Sequence, residues 1–299
     1  MRSVTARTAT QTMCAALCLA GSLSVAQPAR AVEYGIGDYL LGFTVPMSGY
    51  TPPPGVYFSD TFYLYQGSSP GNVNFPIGRI TAAGVTYNFV VDAAAVAWFT
   101  DTKILGATLG FAAVVPFVGE RTTAGVSFIG PMGANRTFGR TASVEALGDS
   151  AFSASLGWEA GEHHWNLTLT GFAPTGFYSS TALAFTGLNR PAIDIKGGYT
   201  FLSLQTGTEV SAALGMTFNL INTATDYQSG DELHFEWALN QHFPNGLAAG
   251  VGGYFYQQVT DDGGSDRSLQ RTRCGGRAIA RLYVQVRDPR GHRQRPVVS

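Results

Sequence analysis

The sequence predicts an all-β fold, an antiparallel transmembrane β-barrel of about 10–12 strands, and three observations carry that expectation. Long segments alternate apolar with polar residues. The connections between them alternate short with long. Charged residues make up only 13% of the 299 positions, against roughly 25% in soluble domains. Mean hydropathy is nonetheless only +0.06, too polar for a bundle of membrane helices. A barrel reconciles the two, because lipid-facing and lumen-facing residues average out along each strand.

The cleanest alternation lies at 209–220. Val210, Ala212, Leu214, Met216, Phe218 and Leu220 fall on one face; Glu209, Ser211, Ala213, Gly215, Thr217 and Asn219 fall on the other. Period two over this length is a strand with one apolar face. Leu233, Phe235, Trp237 and Leu239 repeat it opposite His234, Glu236, Ala238 and Asn240. Similar patterns start at Phe152, His164 and Ile193, so nine strands are readable through Thr260.

A soluble sandwich also alternates, so the connections decide. Short ones are expected at 100–103, 159–162, 203–207 and 244–246. Longer ones are expected at 67–79, 119–146, 174–190, 222–230 and 261–276. Strict short–long alternation is what tight periplasmic turns and long extracellular loops require. Among those loops, 119–146 is the one expected to restrict entry to the lumen.

The N-terminus reads as a secretory signal over 1–31. Arg2 and Arg7 precede a short apolar run, and small residues allow cleavage after Ala26 or Ala31. That run is too short to span a bilayer, which takes ~20 residues. Only Cys274 remains after the leader, which excludes a disulfide scaffold or thiolate zinc site. A net charge of −1 gives no field for nucleic acid.

Inward-facing polar groups are the functional signal. Asp92, His164, Asp194, Lys196, Glu209, His234 and Glu236 fall on polar faces, with Tyr254 and Tyr256 on the inner face of a late strand. These are the expected channel-lining residues, whether as a selectivity lining or as ion pairs that plug the lumen. No metal site, cofactor or catalytic set is expected. G-x-S-x-G, H-E-x-x-H and Walker patterns are absent after the leader. Adjacent His163 and His164 point to opposite faces. Asp261, Asp262 and Asp266 lack the spacing of a calcium loop. A lipid hydrolase would have to pair Ser153 or Ser155 with His164.

Several motifs together resemble a known family. They are 52–58 (PPPGVYF), 98–106 (WFTDTKILG), 147–149 (LGD), 173–176 (APTG), 225–230 (TDYQSG) and 239–262 (LNQHFPNGLAAGVGGYFYQQVTDD). In order and spacing they resemble the phenol meta-pathway degradation family of outer-membrane barrels, over about 38–262. The resemblance implies residence in the outer membrane of a Gram-negative bacterium and insertion by the barrel-assembly machinery. It also implies contact with outer-membrane lipid, and uptake of small hydrophobic or aromatic compounds. The alternatives are a non-conducting structural barrel and a lipid hydrolase.

The expected organisation is a signal peptide 1–31, a periplasmic segment 32–54, the barrel 55–286 and a basic tail 287–299. Residues 267–299 carry nine of the 19 Lys and Arg. They read either as a disordered charged tail or as an altered reading frame after about Arg267. Arg277 to Val286 is the one segment there able to form a further strand.

Overall fold

The two periodicities resolve into strands wherever the chain is described. A computed structural model describes residues 37–42, 44–75, 80–129, 135–264, 276–286 and 295–297. The expected signal peptide, Cys274, Asp266 and most of the basic tail lie outside these residues.

Among the described residues fifteen strands follow one another: β1 (Gly55–Phe75), β2 (Ile80–Ile104), β3 (Ala107–Ile129), β4 (Asn135–Leu147), β5 (Ser150–Ala160), β6 (His163–Ala173), β7 (Ala192–Leu202) and β8 (Thr208–Asn219). Then come β9 (Ile221–Asn222), β10 (Tyr227–Gln228), β11 (Glu232–His242), β12 (Leu247–Gln258), β13 (Gly263–Gly264), β14 (Gly276–Val286) and β15 (Arg295–Val297). The main sheet has 12 strands in the order β1-β2-β3-β5-β6-β7-β8-β11-β12-β14-β15, with β4 also on β3. Every pairing is antiparallel, for example Asp194↔Thr217 and Glu236↔Ala213. No helix occurs among the described residues. The short β9, β10 and β13 form a separate sheet within the long connections.

Alternation sorts the faces. Phe58, Leu64, Phe152, Leu169, Ile195, Leu214 and Val251 are exposed on the outer face. Glu209, Thr217, Glu232, His234 and Glu236 are fully buried on the inner one. Buried polar and exposed apolar is the inverse of a soluble protein and the pattern of a barrel in lipid. Trp98, Trp165 and Tyr199 are exposed toward the short-turn end, where an aromatic girdle belongs.

Four expectations are corrected. First, 119–146 is not a loop: β3 and β4 form a hairpin paired from Phe117↔Leu147 to Ile129↔Asn135. Only the Gly- and Pro-containing tip 130–134 reads as a turn in the sequence. The Thr- and Val-rich flanks are good strand formers. Second, 67–75 of the expected loop likewise continues β1, of 21 residues, alongside β2, of 25. About 9–11 tilted residues cross a bilayer, so these strands outrun the 11–12-residue strands opposite. Third, 100–103 is strand with a register shift, and the turn lies at Leu105–Gly106. Both have positive φ, 51° and 79°, the two-residue hairpin geometry that matches strand twist. Fourth, Arg295–Val297, in the expected tail, pairs with β14.

Candidate functional site: the filled inner face

The inner face is covered by two segments of the chain itself. The first is 37–54. Gly37 lies against Glu232, at the end of the barrel where the long connections meet. Asp38 pairs with Arg190 at 3.3 Å. Tyr39 stacks on His234 with ring centroids 3.7 Å apart, and the Lys196 ammonium lies 5.6 Å from the Tyr39 ring. Thr44 donates to Glu236 at 3.2 Å. Met47 N–H donates to Glu209 at 2.7 Å, and Gly49 N–H to Thr200 at 2.9 Å. Asn166 donates to the Ser48 carbonyl at 2.8 Å. Tyr50 meets His164 edge-on, and Thr51 packs where Gly157 has no side chain, near the short turns. The segment therefore runs the length of the inner face before β1 starts at Gly55. A purely periplasmic position for 32–54 is corrected for the described part of it.

This path follows from chemistry. A chain without regular structure carries unpaired N–H and C=O groups that need partners. Only the polar inner face offers them. Gly198 allows a close approach: a β-carbon there would collide with the Ser48 carbonyl and Asn166.

The second covering segment is the connection between β6 and β7. Leu183 packs against Val85, Tyr87 and Ala124. Phe185 N–H donates to Glu120 at 2.8 Å, and Asp149 accepts from Leu188 N–H at 2.6 Å and Gly176 N–H at 2.8 Å. Arg190, 0% exposed, joins this connection to the first segment through Asp38, and also donates to Ser229 at 2.7 Å. Although 174–190 was expected as an extracellular loop, much of it is turned inward and buried.

The electrostatics are those of buried charge. Burial pushes the Asp38 carboxyl up from 3.8 to about 6, against the pull of the neighbouring Arg190 guanidinium and with help from Asp149. Burial also raises the Tyr39 phenol well above 10, reinforced by the Glu236 charge, and raises Asp149 against its backbone hydrogen bonds. On the strands, His234 bonds to Asp194 at 2.7 Å, and Thr217 donates to the same carboxylate at 2.9 Å. Glu209 is shared by Ser211 at 2.6 Å, His242 at 2.7 Å and Asn240 at 3.2 Å.

The structure places His164, Asp194, Lys196, Glu209, His234, Glu236, Tyr254 and Tyr256 on this inner face. Asp194, Lys196, His234 and Glu236 come together beneath Tyr39. Asp92 is corrected: it is exposed on the outer face, opposite Phe62 and Phe117. Its segment is apolar on both sides, so period alone could not assign its face. Ser155 stands opposite Thr168 and His164 opposite Glu159, several positions apart along the ladder, while Ser153 bonds Thr170 at 3.1 Å. The hydrolase pair is not assembled. Sequence reading missed Asp38, Tyr39, Arg190 and Glu232. The first two lie in a segment with no period. Arg190 and Glu232 stand at loop ends beside the polar residues Asn189 and Asp231, where no local pattern marks a buried charge.

An antiparallel sheet with an apolar outer belt and a buried polar interior defines an outer-membrane type of β-barrel. The chain belongs to the family described as "Putative MetA-pathway of phenol degradation", which matches residues 70–279. No curated protein matches it. Among solved structures it is similar to an outer membrane channel from Pseudomonas putida F1. The TM-score is 0.59 at 14% identity, covering 81% of this chain and 86% of that one.

Proposed function

We propose that the protein is a channel in the outer membrane of a Gram-negative bacterium, admitting small hydrophobic or aromatic solutes. The observation that carries this reading is the buried polar inner face. Glu209, Glu232, His234 and Glu236 are 0% exposed, and a single sheet with an apolar outer face has reason to keep such groups only around a polar lumen. The description of the family and that of its structural relative as an outer membrane channel support the same reading. The lipid belt is the apolar outer face, and insertion falls to the barrel-assembly machinery. Passage runs beside segment 37–54, which narrows the lumen.

A non-conducting structural barrel is the second reading, favoured by how fully that segment satisfies the inner polar groups. Planar-bilayer recording separates the two. The channel reading expects small, discrete conductance steps from the full chain. Silence from both the full chain and a folded chain lacking 37–51 would establish the structural barrel.

A further inference from the structure

The inner face is not uniform. On β7, β8 and β11 it is charged and covered by segment 37–54. On β1–β3 it is aromatic and aliphatic. Register places Tyr63 beside Val91 and Tyr65 beside Phe89. Val91 in turn lies beside Val118, and Phe89 beside Glu120. The Phe89 ring lies 6.1 Å from Tyr87, stacked at 14°, and 6.2 Å from Tyr65. Tyr63 and Phe89 pack on Val91 and Val118 while staying half-buried, so ring surface faces the interior of the barrel. Leu183, from the inward connection, closes the upper side.

Resting on the channel reading above, we infer that this strip is the solute-contacting wall of the passage, a weak binding site for small neutral aromatic molecules. Rings present faces for stacking and edges for T-shaped contact. The one carboxylate in the strip, Glu120, is 2% exposed, with its oxygens taken by Thr122 and Phe185. The strip thus offers apolar contact without a charge to pair. The balance of charge over the whole interior disfavours anions. Among the described residues, Asp38, Glu120, Asp194, Glu209, Glu232 and Glu236 outnumber the formal cations there, Lys196 and Arg190 with Arg277 and Arg281 at inner-face register positions of β14. An aromatic carboxylate would meet a net excess of carboxylates, whereas a phenol carries no charge to be repelled.

Saturation-transfer NMR on the detergent-folded full chain tests this, with p-cresol, p-toluate and cyclohexanol as probes. Tyr65→Leu and Phe89→Leu keep an apolar side chain and remove a ring. Phe58→Leu, on the outer face at 80% exposure, reports binding to detergent and belt. Folding of each variant is checked by heat-modifiable migration. The site predicts p-cresol transfer above that of both other probes, weakened about three- to tenfold in each inner variant and unchanged in Phe58→Leu. Equal p-cresol signals in inner and outer variants, or p-toluate binding as well as p-cresol, would overturn it. Bilayer conductance is recorded on the same preparations. Conductance without selective binding removes the site and leaves the channel, whereas silence with and without 37–51 removes the channel reading itself.

Discussion

Tyr39 lies flat on His234, ring centroids 3.7 Å apart, while His234 is held by Asp194 at 2.7 Å. A residue of the N-terminal segment thus covers a hydrogen-bonded pair on β7 and β11, and the Lys196 ammonium approaches the same ring. Tyr39→Ala removes the stack and uncovers the pair. Its expected effect is a looser segment, seen as larger or flickering conductance steps in bilayers with unaltered heat-modifiable folding. Steps identical to wild type would place the hold of the segment elsewhere.

Gly198 tests the segment from the wall side. A methyl group there collides with the Ser48 carbonyl, and the rigid strand cannot yield as easily as the segment. Gly198→Ala is expected to displace 47–50 while leaving the barrel intact. Proteolysis of detergent-folded protein checks it: cleavage within the segment should speed up, with the barrel fragment resistant. An unchanged digestion pattern would contradict the close approach.

Asp38 makes docking of the segment pH-dependent. Its docked pKa of about 6 lies above the free value of 3.8, so the burial penalty is absent below about pH 4. It grows as pH rises from about 4 to about 6, and is constant beyond. Two pKa units correspond to about 3 kcal/mol. The groups around it are Arg190, which favours the charged form, and Asp149 and Glu232, which oppose it. Open probability should therefore rise between pH 4 and pH 6, and Asp38→Asn should flatten that component. A slope unchanged in Asp38→Asn would assign it to other carboxylates.

Faces can be tested by charge. Leu214 is 55% exposed on the outer face of β8. Leu214→Arg puts a cation into the apolar belt at a cost of roughly 2–4 kcal/mol at mid-membrane. The expected outcome is reduced folding yield and lower urea stability in lipid, with Leu214→Ile near neutral. Equal stability of both would move β8 out of the belt.

The sequence made strands legible where both faces speak, as in β7, β8 and β11, because period two with opposite chemistry fixes register and side together. It failed where one signal was missing. β4 was read as loop because Gly and Pro at 130–134 dominated its strand-forming flanks. Asp92 reads as inward because a lone charge in an apolar strand is expected to avoid lipid, yet it lies on the outer face. Most of the polar inner face is legible, since alternation identifies it. What covers that face is not. Segment 37–54 has no period, and its contacts span more than 150 positions of chain, as between Ser48 and Tyr199, which no local pattern encodes.

The most direct measurement is single-channel conductance in planar bilayers of the full chain beside a folded chain lacking 37–51. The expected result is a small cation-preferring conductance for the full chain, since carboxylates outnumber cations on the inner face. A larger and steadier conductance is expected once the segment is gone. Equal conductance from the two chains, or none from the shortened chain despite a heat-modifiable fold, would contradict a lumen narrowed by its own N-terminal segment.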